Sequence, residues 1–361
     1  MKKDASYIFS ADVIRSLAIL GVVAIHTANS VFDRPDFFGG ISWWFAIIIN
    51  SISRICIPLF IMLSGYLILR KALGFKDMFK RVVSLLLIPL IFWTILNTII
   101  NNGEPVSYLF SLPFVLKFFS GDVSYLYYLL ILIGLYLVSP LLNSYLKNNS
   151  ILSQKYLALF FVILGIGKIG TDYLLRSCET VSSLTTWVPY VGFFLVGYLI
   201  ATQKLKFKNS FVKGVYLSSL AATIGLNYLF YLNARFTGPQ IPVGCITHYS
   251  DYYLSINVVL MSFAAFALLF NFDFKFLKNR FLEKQVYNIA RASFGIYLIH
   301  LFIVNAWDKK LLWDVDNTSL PLWLYIIVKF LGVFTISYLL TVIIDKVPIV
   351  RYVVGGRKEK K

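Results

Sequence analysis

Ten stretches of about twenty predominantly apolar residues run through this sequence, near residues 8–30, 41–69, 82–101, 123–143, 155–171, 186–203, 211–232, 253–272, 288–307 and 321–345. Twenty residues of α-helix rise about 30 Å, the hydrocarbon thickness of a bilayer, and a helix satisfies its own backbone groups there. The chain is therefore expected to fold as an all-α polytopic membrane protein with about ten transmembrane helices. Composition agrees, because only 14% of the residues are charged, where soluble chains carry about 25%. The second stretch is long and holds Pro58, which predicts a kink or a steep tilt. Residues 105–120 are apolar but short and broken by Pro113, which suits an interfacial or re-entrant piece. The first stretch is too long and too charged for a cleavable signal, so it reads as a retained span. A single membrane domain over 1–361 is expected, with no soluble extracytoplasmic domain.

The net charge of +17 raises the question of nucleic acid, and its distribution answers it. Of the 34 Lys and Arg, 24 fall in loops on one side, and the opposite loops hold six. The positive-inside rule then puts the basic loops and both termini in the cytoplasm, as an even number of spans requires. Nucleic acid is not expected as a partner. There is no P-loop, no dinucleotide fingerprint and no repeat. Cys56, Cys178 and Cys245 lack metal-ligand spacing, so no metal is expected. Cys178 and Cys245 both fall on the outer side, where a disulfide and two separate thiols are both open readings.

Ionisable residues inside apolar stretches carry the functional signal, because each costs at least ~2.5–3.5 kcal/mol at the bilayer centre. The first stretch holds Asp12, Arg15 and His26. Arg15 and His26, eleven residues apart, differ by roughly 20° around a helix and about 16 Å along it. Asp12 lies one turn before Arg15 on the same side, where it neutralises the guanidinium. This polar stripe must face protein or water. Arg54 lies near the middle of the second stretch and His300 in the ninth. Lys168 and Lys329 lie nearer the ends of theirs, where snorkelling is the default reading. His26 is open to two readings, a hydrogen bond between packed helices and a general base for a hydroxyl, a task its ordinary pKa near 6.5 suits.

Further motifs occur in order along the chain: Arg54-Ile-Cys-Ile-Pro58-Leu-Phe-Ile-Met-Leu-Ser64-Gly65-Tyr66, Lys80-Arg81 ahead of Pro89, Tyr125-Leu-Tyr127-Tyr128 leading to Tyr136 and Pro140, Phe193-Phe194-Leu-Val-Gly197-Tyr198, and Ser293-Phe-Gly295-Ile-Tyr297-Leu-Ile-His300. Together with the Arg15 to His26 spacing, this series resembles the membrane acyltransferase-3 family, in its branch of surface-polysaccharide O-acetyltransferases. It departs from the family at Ser84, where a second basic residue is usual, and at Tyr127 or Tyr128, where many members carry tryptophan.

The resemblance implies an O-acetyltransferase of a bacterial plasma membrane that takes acetyl from cytosolic acetyl-CoA. His26 would be the general base, or would carry the acetyl group covalently, and Arg54 the donor to the thioester oxygen. His300 would orient His26 or bind the acceptor. Arg15 would guide the pantetheine arm or hold Asp12. Arg70, Lys71, Lys76, Lys80 and Arg81 are the candidate phosphate contacts, with topology and lipid headgroups as their other reading. The acceptor would be a surface glycan or a lipid-linked oligosaccharide, met by the outer loop that carries His248, Tyr249, Asp251, Tyr252 and Tyr253. The same tyrosines also suit interfacial anchoring. A glycan exporter or flippase, lining a pathway with these charges, is the competing expectation.

Overall fold

The computed structural model describes residues 8–71, 73–100, 102–119, 126–175, 182–237, 249–277, 279–308 and 318–356. Thirteen α-helices occur among them: α1 (Phe9–Phe32), α2 (Ile41–Ser53), α3 (Cys56–Leu69), α4 (Phe75–Val82), α5 (Ile88–Ile100), α6 (Leu112–Phe119), α7 (Tyr127–Asn148), α8 (Ile151–Leu174), α9 (Val191–Ala201), α10 (Asn209–Thr237), α11 (Ile256–Asn271), α12 (Arg280–Ala306) and α13 (Leu322–Lys346). Among the described residues, nine helical stretches are long and apolar enough to cross a membrane, with α2–α3 and α4–α5 each counting as one. The chain is a multi-pass membrane protein.

The tenth expected span takes a different form. Val188–Ala201 is only 14 residues, a 3-10 turn running into α9, and every α9 residue except Tyr198 and Ala201 is buried. It is a short element enclosed by protein, and hydropathy alone does not distinguish that from lipid. Close contact with α3 explains the enclosure. A Cβ on Gly65 would stand 1.9 Å from the Phe194 carbonyl oxygen, and one on Gly197 would stand 2.2 Å from that of Met62. Only glycine permits backbones so close. The Ser-Gly-Tyr and Phe-Phe-Leu-Val-Gly-Tyr motifs are therefore the two halves of one helix crossing. At the other extreme, α8, α10 and α13 bury only a minority of their residues.

Proline shapes the interior. The α2–α3 span breaks at Arg54–Ile55, four and three residues before Pro58. The proline ring clashes with the carbonyl four residues back and offers it no N–H. The expected kink is thus a full interruption, and it sits at Arg54. In α7 the carbonyl four residues before Pro140, that of Tyr136, is taken by the Ser139 hydroxyl at 2.7 Å. Of the stretch 105–120, the described residues form a short 3-10 turn and the eight-residue α6, too short to cross.

Candidate active site

α1 lies at the centre, packed by α2, α3, α11, α12 and α13. Near its start, Asp12 accepts a hydrogen bond from Arg15 Nη1 at 3.1 Å, the ion pair expected from their spacing. The Ser16 hydroxyl donates to the Val286 carbonyl at 3.0 Å, tying the same end to α12.

Higher on α1, the half-buried His26 meets His300 of α12, with ring centroids 5.2 Å apart and planes at 47°. Residues 274 apart in sequence come together because α12 runs along α1, and Gly295 lets α13 close behind it: a Cβ there would stand 2.3 Å from Thr341 Cγ2. His300 is fully buried, and its Nδ1 lies 2.6 Å from the Tyr297 carbonyl oxygen. A carbonyl only accepts, so Nδ1 carries a proton and donates it. Aromatic rings extend the site, since Tyr297 stands 5.9 Å from His300 and 5.2 Å from Tyr128.

Arg54 is the hub of a second polar group. Its Nε donates to Asn50 Oδ1 at 2.8 Å, and Nη2 pairs with Asp251 Oδ2 at 3.2 Å, both side chains being nearly buried at 13% and 9% exposure. These bonds use two of the five N–H donors of a guanidinium. Asn227 donates to Asp251 Oδ1 at 2.7 Å and in turn accepts from the Ser250 hydroxyl. Asn50 donates to Asn29 Oδ1 at 2.8 Å, which joins the network to α1 one turn beyond His26. Arg54 lies within electrostatic reach of His26.

Lys329 corrects the sequence reading. Lys168 is 38% exposed and paired with Asp172 at 2.5 Å near the end of α8, as a snorkelling residue would be. Lys329 is fully buried instead, with Nζ 2.5 Å from Asp308 Oδ1 and 5.7 Å from the Tyr325 ring centroid. The reason is packing: this stretch of α13 lies against α12, α1 and α2, so the lysine meets protein before it can reach headgroups. It too lies within electrostatic reach of His26. Sequence position gave no sign of this. The amides of Asn29 and Asn50 did carry one, standing three residues after His26 and four before Arg54 in apolar runs.

At the opposite end of α3, Arg70 Nη1 donates to the Tyr66 hydroxyl at 2.9 Å, and its guanidinium lies 5.0 Å from that ring's centroid. Lys71, Lys76 and Lys80 are exposed. Arg81, in the last turn of α4, is half-buried, and its Nε is buried with no hydrogen-bond partner among the described residues. Of the outer-loop residues expected to meet the acceptor, Asp251 is turned inward onto Arg54, and the Tyr253 hydroxyl lies 4.0 Å from the buried, free Cys56 thiol. His248, Cys178 and Cys245 lie outside the described residues. Among the described residues no group of three or more His, Cys, Asp or Glu can hold a metal ion.

A family model described as an acyltransferase domain, that of acyltransferase 3, matches residues 8–342. No curated protein and no solved structure matches the chain.

Proposed function

The chain belongs to the acyltransferase 3 family and is a membrane acyltransferase, and from that premise we propose that it moves an acetyl group from cytosolic acetyl-CoA to a hydroxyl of a surface polysaccharide or its lipid-linked precursor. The observation that carries this reading is the meeting of His26 with His300, on the helix whose other turns hold the Asp12–Arg15 pair. The basic loops would face the cytoplasm of a bacterial cell and draw in the CoA phosphates. Arg70, Lys71, Lys80 and Arg81 are the contacts we assign. The buried Arg81 Nε, lacking an acceptor within the described protein, suits a phosphate oxygen. The pantetheine arm would run past Arg15 toward His26.

In this reading His26 takes the proton of the acceptor hydroxyl as its oxygen adds to the thioester carbonyl. Negative charge builds on the carbonyl oxygen. Arg54, with N–H donors beyond those spent on Asn50 and Asp251, stabilises it. Collapse breaks the C–S bond, and the departing CoA thiolate receives the proton held by His26. His300, its tautomer fixed by the Tyr297 carbonyl, orients His26. Donor and acceptor meet from opposite sides of the membrane, so the acetyl group crosses inside the protein.

The test uses purified protein in proteoliposomes with labelled acetyl-CoA, wild type against His26→Ala, together with mass spectrometry of surface glycans from cells carrying each form. The reading requires acetyl-CoA consumption by wild type alone and an O-acetyl mass missing from the variant's glycan. If neither form consumes acetyl-CoA and the variant's glycans stay acetylated, it fails and export takes its place.

A further inference from the structure

Two cavities meet at the end of the molecule where α9 and α11 finish and α8 and α10 begin. One is an apolar groove of about 400 Å3 between those four helices, floored by Val196, Val215, Leu260 and Ala264. Its one charged lining residue is Lys155, in the first turns of α8. The other is a polar pocket of about 260 Å3 under the α9–α10 loop, where Gln203, Lys206, Asn209 and Asn271 supply the polar groups. Ile200, Leu205, Phe207, Val212 and Ala267 line both cavities, so the pocket and the groove lie side by side.

The local fold holds this arrangement in place. Gln203 takes the left-handed conformation, φ 59°, which lets the backbone N–H groups of Lys204 and Leu205 both return to the Leu199 carbonyl at 2.9 and 3.1 Å. Its side chain donates to Asn271 Oδ1 at 2.6 Å and ties the ends of α9 and α11 together. Lys204 is engaged, with Nζ 2.8 Å from Gln154 Oε1 and 3.3 Å from the Tyr198 hydroxyl. Lys206 is exposed and makes no ion pair among the described residues. No residue lining either cavity is acidic, and Asp273, two positions past Asn271, is paired with Lys275 at 3.3 Å. The start of α10 adds the positive end of a long helix dipole. Phe207 and Phe211, 49% and 60% exposed, stand with ring centroids 6.3 Å apart at the mouth, the side-chain type found at headgroup level.

We propose that this two-part cavity binds an anionic phospholipid, with its phosphate against Lys206, Asn209 and the Gln203–Asn271 amide pair and one acyl chain in the groove beside Val196, Val215 and Ala264. A polar pocket beside a dry groove matches the two-part chemistry of such a lipid. The excess of lysine favours a headgroup without a balancing amine. The lipid would brace α8, which otherwise buries little of its surface, against α10 and α11. The proposal does not depend on the acyl-transfer reading.

The test takes the purified full chain, stripped of lipid in detergent and offered equal amounts of phosphatidylglycerol and phosphatidylcholine, with bound lipid counted by native mass spectrometry. One phosphatidylglycerol per chain is expected to be retained in preference. Lys206→Glu and Val215→Trp, which fills the groove, should each lower that retention by about tenfold or more, while Lys213→Glu, the same charge change outside the cavity, leaves it within about twofold. Equal retention of the two lipids by wild type overturns the proposal. So does equal loss in Lys206→Glu and Lys213→Glu, the behaviour of lipid gathered by surface charge alone. The wild-type preference needs no variant, so a variant that fails to fold leaves the proposal exposed to refutation.

Discussion

Asp251→Ala offers the sharpest test of how the interior is held. The substitution leaves the Arg54 guanidinium, 13% exposed, without the carboxylate that stands 3.2 Å away. Breaking a buried ion pair from one side costs about 3–5 kcal/mol, because the remaining charge cannot return to water. Asn227 also loses its 2.7 Å acceptor, which adds about 1 kcal/mol. The total, about 4–6 kcal/mol, is a large share of a typical folding free energy. The double variant Arg54→Met/Asp251→Leu removes both charges together and should recover at least about half of that loss, since exchanging a buried pair for apolar residues is often neutral. Unfolding in a denaturing-detergent titration, followed by tryptophan fluorescence, reads the difference. Salt at about 1 M should not change it, because a buried pair is poorly screened. A double variant no more stable than Asp251→Ala would refute the reasoning, and so would a deficit that salt removes. The same double variant also bears on chemistry. Folded but lacking a donor for the thioester oxygen, it should turn over acetyl-CoA about 10²–10³-fold more slowly than wild type.

His26→Ala should fold normally and lose about 10²–10⁴-fold in acetyl transfer, measured as labelled acetate appearing on the acceptor. Gly197→Ala places a methyl group 2.2 Å from the Met62 carbonyl oxygen, backbone against backbone. It should therefore cost about 3 kcal/mol or more and sharply reduce the monodisperse fraction in size-exclusion chromatography. Lys329→Met exchanges a fully buried ammonium for an apolar side chain of similar length and frees Asp308, 42% exposed, to water. Its stability should be unchanged or higher in the same detergent titration. Arg81→Gln should raise the acetyl-CoA KM by about tenfold with little change in kcat, because a phosphate contact is made equally in ground and transition states.

The spans were legible because bilayer thickness fixes their length, and the Asp12–Arg15 pair because i,i+3 spacing fixes its geometry. Gly65 and Gly197 were legible only as motif letters. Their meaning, one backbone crossing between α3 and α9, needed both helices in place. Asp251 as the partner of Arg54 was hidden by a separation of 197 positions, and a loop carboxylate reads as surface until the loop is seen folded inward. Lys329 was misread for a related reason. Distance from a helix end along the sequence says how far a lysine must reach, but not which neighbouring helix stands in the way.

What the assembled chain adds is a pattern of charge around His26. Arg54, at the break between α2 and α3, and Lys329, on α13, both lie within electrostatic reach of it, and each is held by a carboxylate from a separate element, Asp251 at 3.2 Å and Asp308 at 2.5 Å. Anchoring each cation in this way lets a membrane interior keep two positive charges near one imidazole, since an unpaired cation there would cost more than the fold can supply. Such an environment favours negative charge that appears only transiently, which is what hydroxyl attack on a thioester generates.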